Sequence, residues 1–156
     1  MHHHITAINH QGRFASAACP WLAVDGVPIE VWLATHLGRP DLELHALSLV
    51  WLSDDGEDAL ANRRIMPAED GTSTLVPLLV CSSDMDFDCA VLMAEQVVDG
   101  DTLQWRRFGL SVSGGLEVGA CTRWNTHVKP VSFALDDFKH ALAEHKRLLD
   151  ERIGAS

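Results

Sequence analysis

The chain has no tyrosine, no run of about 18 uncharged apolar residues, and only 12 basic against 22 acidic side chains. The missing apolar run means that no membrane-spanning helix is expected. The shortage of basic residues leaves a formal charge of −10. Such a surface repels phosphate backbones, so nucleic-acid binding is not expected as the main task. The same charge favours encounter with a basic protein partner. An export signal is lacking too: Ile5, Ala7 and Ile8 are interrupted by Asn9, His10, Gln11 and Arg13, so no apolar signal core forms. Ser16-Ala17-Ala18-Cys19 has the outline of a lipoprotein cleavage site but no apolar run before it. A cytoplasmic location is the expectation. Met1-His2-His3-His4 resembles a tag remnant and is set aside. The absence of tyrosine carries no functional reading.

Catalytic signatures are equally scarce. There is no Gly-x-Ser-x-Gly elbow, no Walker loop and no Gly-x-Gly-x-x-Gly fingerprint. Ser113-Gly114-Gly115 has no lysine and no helix pattern after it, and reads as a turn. The four cysteines, Cys19, Cys81, Cys89 and Cys121, are too widely spaced for a zinc pattern. They lie in apolar or strand-like contexts and are expected as reduced, buried thiols. Cys81 stands beside an acidic stretch, which would raise its pKa and disfavour a nucleophilic thiolate. Cys121 and His127 are the one Cys/His pair close in sequence. His140 and His145 are five apart, about 140° around a 3.6-residue helix, so they cannot share a metal as the four-apart zinc helix does. No catalytic residue, metal ligand or cofactor is expected.

What is present describes an ordinary core. The 156 residues, 47% of them hydrophobic and 22% charged, suit one domain over 1–156. Thr74 to Cys81 is a continuous apolar strand, with Pro77 marking an edge, a strand start or a bulge. Cys89 to Val98 and Asp101 to Phe108 flank Asp99-Gly100, a hairpin signal for a type I′ turn. A two-residue loop there pairs Ala94 with Trp105 and puts Leu92, Ala94, Val98, Leu103 and Trp105 on one face. Leu116 to Trp124 supplies a fourth strand, with Val118, Ala120, Thr122 and Trp124 in phase. The connections are turns, so the expectation is an α+β fold: an antiparallel meander of about 4–6 strands against a C-terminal amphipathic helix. That helix follows Pro130, with Ser132 as N-cap and Phe138, Ala141, Leu142, His145, Leu148 and Leu149 on its apolar stripe. Gly56 to Ile65 reads as a short helix. Residues 21–33 read as a hairpin about Asp25-Gly26, against the alternative of a helix from Pro28 stopped by Gly38 and Pro40. Asp41 to Leu52 fits either period. Most of the five tryptophans are expected in the core, although tryptophan also favours binding hot spots.

Two acidic clusters remain: Asp54, Asp55, Glu57 and Asp58, and then Asp84, Asp86 and Asp88. Counted from Asp84, carboxylates fall at positions one, three, five and twelve (Glu95), the oxygen spacing of an EF-hand. Position six is Cys89 where glycine is needed, and the flanks read as strands, so a solvated acidic loop is the better reading. The run Val76-Pro77-Leu78-Leu79-Val80-Cys81, then Asp84, Asp86 and Cys89, then Trp105-Arg106-Arg107-Phe108-Gly109, resembles small bacterial toxin-immunity proteins over about a third of the chain. The resemblance implies a non-catalytic acidic domain that neutralises a toxin by binding it, and transfers no site residue. The leading expectation is therefore an acidic binding protein docking a basic partner through those two clusters. The alternatives are a small enzyme or metal-binding domain with its site near residues 84–95, and a structural subunit forming a homo-oligomer.

Overall fold

The computed structural model describes residues 2–13, 17–88, 90–125 and 127–155, the last three by backbone alone. Strands β1 (Ile5–His10) and β2 (Cys19–Val24) pair antiparallel. Asp25 (φ 52°) and Gly26 (φ 82°) both take the left-handed conformation that a type I′ turn demands, and the chain returns as β3 (Val27–Pro28). The hairpin expected over 21–33 ends there. Pro28 has no N–H for the ladder and instead starts helix α1 (Ile29–Leu37), which stops at the left-handed Gly38. The helical alternative thus describes 29–37, and the turn signal at 25–26 holds.

A 3₁₀ turn (Pro40–Leu44) leads into β4 (His45–Leu47). Helix α2 (Asp55–Ile65) and strands β5 (Ser73–Cys81), β6 (Val91–Asp99) and β7 (Thr102–Ser111) follow. A second 3₁₀ turn (Gly115–Glu117), β8 (Thr122–Trp124), β9 (Val131–Ala134) and α3 (Leu135–Ala155) complete the chain. The fold is α+β. One antiparallel sheet runs β4-β5-β6-β7-β8, with β9 also on β7, and a second runs β1-β2-β3. The isolated bridge between His3 and Phe133 links the two sheets.

The meander stands, with three corrections. First, the turn residues are Gly100 and Asp101 rather than Asp99 and Gly100, since Asp99 pairs with Thr102. Only Gly100 has positive φ (62°), as at the first central position of a type II′ turn. Second, Arg106 and Arg107 together oppose Glu95, so Ala94 faces Phe108 and Gln96 faces Trp105. Arg107 Nε reaches Glu95 Oε1 at 3.2 Å across this bulge. Third, the strand expected over 116–124 shrinks to 122–124. Ser111 Oγ accepts from the Gly119 N–H, and Ser113 Oγ donates to the Glu117 carbonyl, so hydroxyls replace a ladder there. Pro77 lies at a bulge, where β5 shifts register against β6, and its carbonyl accepts from the Ser48 hydroxyl.

Helix α3 begins after β9, so Ser132 is a strand residue rather than the N-cap. Its stripe is as expected: Phe138, Ala141, Leu142 and His145 are buried, and Leu148 and Leu149 are partly covered. The stripe packs mainly on β1 and β2. His145 Nε2 lies 3.2 Å from the Pro20 carbonyl, and burial lowers its pKa, whereas His140 is exposed. His3 and His4, set aside above as tag-like, are built into the fold. His3 N donates to the Ser132 carbonyl at 2.7 Å, and the Asp25 carboxylate holds both His3 Nδ1 and His4 N.

Trp105 occupies the centre of the core, in edge contact with Phe108, Phe133 and Phe138. Its indole N–H donates to Gln96 Oε1 at 3.0 Å, and Gln96 Nε2 donates to the Ile65 carbonyl at 2.9 Å. One buried amide therefore ties β7 to the end of α2. Gln96→Leu leaves the indole N–H and the Ile65 carbonyl unpaired, at about 1–3 kcal/mol each. Urea unfolding of Gln96→Leu is expected to show a loss of about 2–4 kcal/mol. A loss below about 0.5 kcal/mol would mean that water or a repacked neighbour satisfies both groups.

Candidate acidic interface

Helix α2 starts as its sequence dictates. The Asp54 carboxylate accepts from the Glu57 N–H at 3.0 Å, and Asp55, Glu57 and Asp58 fill the first turn, where negative charge meets the positive end of the helix dipole. Asp58 turns back and accepts from the Leu52 N–H at 2.9 Å. At the other end, part-buried Arg64 donates to the Val118 carbonyl at 2.8 Å and fixes the helix over β5.

Glu57 departs from the outward orientation expected of it. Its side chain is 6% exposed and does not close a capping box. Instead Oε1 accepts from the Phe87 N–H at 2.7 Å, thirty residues away in the acidic loop. Burial raises the Glu57 pKa first, the Phe87 N–H opposes that, and Asp54, Asp88 and Asp86 add repulsion. The correction has a simple cause. Glu57 shares the helix face of Leu60, Ala61 and Ile65, which faces inward, and there its carboxylate meets the Phe87 N–H.

This anchor brings the two acidic clusters together. Phe87 is buried, Ser53 N donates to the Met85 carbonyl at 2.8 Å, and Ser53 Oγ donates to the Asp84 carbonyl at 2.9 Å. Asp86 Oδ1 accepts from the Asp88 N–H at 3.0 Å, which rounds the loop. Asp54, Asp55, Asp84 and Asp88 are exposed, and Asp58 and Asp86 partly so, above a buried Glu57. Glu95, the distant member of the EF-hand spacing, lies in β6 and is bound by Ser73 Oγ and Arg107. Among the described residues, no three His, Cys, Asp or Glu side chains are grouped to hold a metal ion.

The cysteines divide. Cys81 is disulfide-bonded, which corrects the expectation of four reduced thiols. Cys89 lies outside the described residues. Cys19 and Cys121 are free. The fold pairs Cys19 with His10 across β1 and β2, a juxtaposition that sequence distance hid, and His10 Nε2 lies 3.1 Å from buried Glu30. Burial nevertheless raises the Cys19 pKa, so this thiol is held protonated at neutral pH, the wrong state for a nucleophile. Cys121 and His127 are both exposed.

The signal that could have found the anchor was the Asp54-x-x-Glu57 pattern ahead of an apolar helix face, in which Glu57 also falls in phase with Leu60 and Ala61. No protein-family model matches the chain, and no curated protein or solved structure matches it significantly. The likeness to toxin-immunity proteins therefore rests on the sequence pattern alone.

Two measurements test this geometry. A glutamate with a raised folded-state pKa keeps its proton in the folded protein where the unfolded chain has released it. Wild-type stability therefore falls relative to Glu57→Gln as pH rises from the ordinary glutamate range, about 4.3, through the raised value. Paired urea titrations across pH measure that difference, and a flat difference would place the carboxyl in water. Iodoacetamide at neutral pH is expected to label exposed Cys121 well before Cys19, read by mass spectrometry of the digested protein.

Proposed function

We propose that this protein is a non-catalytic binding protein that docks a basic protein partner on the joined acidic surface. One observation supports the reading above the rest. Two segments far apart in sequence are bonded into a single face, with the Asp54 and Asp86 carboxylates used to shape it and those of Asp55, Asp84 and Asp88 left at the surface. Charge of one sign on a fixed scaffold steers an oppositely charged partner and sets its orientation more than it sets raw affinity. A cationic toxin of the kind neutralised by immunity proteins would be such a partner.

The cytoplasmic placing is part of this proposal. The disulfide at Cys81 pulls against it, because such bonds persist mainly in oxidising compartments. Among the described residues no helix is long and apolar enough to cross a membrane.

Asp55→Lys, Asp84→Lys and Asp88→Lys together leave the capping and loop-forming carboxylates intact. Immobilised wild-type protein is expected to retain a basic protein from a lysate of the source cells, with association that slows as salt is raised. The triple variant is expected to retain at least about tenfold less. Equal retention by both, or no basic protein retained by either, ends the proposal.

A further inference from the structure

A cavity of about 350 Å³ lies between the β1-β2 hairpin, the loop after β4 and the loop after β5. Its size is in the range of small-molecule sites. Its walls include Arg13, Trp21, His45, Trp51, Met85 and Arg152, with further aliphatic side chains between them. No carboxylate is among the lining residues, although the chain carries 22 acidic residues and a charge of −10. Asp84 and Asp86 flank Met85 in sequence but do not line the cavity. Two arginines line a largely apolar cavity on a protein rich in negative charge, and the buried Glu30 carboxylate acts on Cys19 in its wall.

Two further observations fall on the same place. The Trp21 side chain is buried, and among the described residues neither its indole N–H nor Glu30 Oε1, both shut off from solvent, has a hydrogen-bond partner. A buried donor without a partner costs about 1–3 kcal/mol and is uncommon. In addition, three non-glycine residues among those described have positive φ, and two of them, Trp51 (46°) and Met85 (51°), line this cavity. The third, Asp25, belongs to a tight turn that requires it. Bulky side chains in the left-handed region are strained, and such strain persists where surrounding structure holds it, commonly at binding sites. Here the Ser53 N–H to Met85 carbonyl bond ties the two strained segments together. Trp51 is also 43% exposed, an aromatic plane at the cavity rim rather than in the core.

We propose that this cavity binds a small organic anion: an aromatic or apolar body seated against Trp51 and Met85, with a carboxylate directed to Arg152 and Arg13. Arg152 donates one N–H to the Ala18 carbonyl, which fixes the guanidinium at the cavity, and its planar group carries five donors in all. A carboxylate accepts two parallel N–H groups from such a fork, which selects an acid over its neutral isostere. The site shares the loop of residues 84–88 with the acidic face but takes no acidic side chain from it, and it does not depend on a protein docking there.

The test titrates the full chain with naphthylacetate and with its neutral amide of the same shape, followed by tryptophan fluorescence and by calorimetry. The acid is expected to saturate the signal, and the amide to bind at least about tenfold more weakly. Arg152→Gln is expected to bring the acid down to the level of the amide. The triple lysine variant of the acidic face is expected to bind the acid no more weakly than wild type. Equal binding of acid and amide to the wild-type protein, or no saturation by either at millimolar concentration, overturns the proposal. The wild-type comparison decides even if Arg152→Gln fails to fold.

Discussion

A strand shows its side chains to alternate faces, so two residues three apart cannot share a core unless the ladder slips. Trp105 and Phe108 are three apart, yet both rings lie in the same core, in edge contact. The slip that permits this is the bulge in which Arg106 and Arg107 together oppose Glu95. Everything central follows from it. Trp105 meets Phe133 of β9 and Phe138 of α3, and Phe108 meets His36 of α1, so the rings join three elements around β7. The two arginines are turned out of the core by the same slip. One of them closes an ion pair to Glu95 and lies 4.0 Å over the Trp124 ring.

Much of this architecture was legible because period and turn chemistry are local. The apolar run of β5, the face shared by Leu92, Ala94, Val98, Leu103 and Trp105, the stripe of α3, and the span of α2 all follow from patterns within ten or twenty residues. The failures also have causes. Asp99-Gly100 satisfied the rule for one turn type, but a slide of one residue lets Gly100 alone supply the positive φ. The bulge has no signature in the pattern, since Arg106-Arg107 is as polar as a surface strand requires. Val118 to Trp124 alternates like a strand, but Ser111 and Ser113 capture the backbone groups that pairing would need.

The candidate sites were legible to different degrees. Both acidic clusters stood out in the sequence, but their union did not, because it depends on long-range hydrogen bonds, from Phe87 to Glu57 and from Ser53 to the Asp84 and Met85 carbonyls. One carboxylate had to be withdrawn from the surface for the others to gather there. The cationic cavity was not legible at all. Arg13, Trp51, Met85 and Arg152 come from four separated segments, and each is unremarkable in its own neighbourhood. The positive φ of Trp51 and Met85 belongs to the tertiary structure, since neither residue type favours that conformation. An acidic face and a cationic cavity meet in one loop, with Met85 turned to the cavity and Asp84 and Asp88 to solvent.

The bridging amide in the core also bears on how this sequence can drift. Gln96 accepts from an indole and donates to a carbonyl that no side-chain change can delete. Losing Trp105 alone strands the amide oxygen, and losing Gln96 alone strands the indole, so each single step passes through a less stable intermediate. The two positions are therefore expected to change as a pair. In any diverged descendant of this chain, an aliphatic residue at one would be accompanied by an apolar residue at the other.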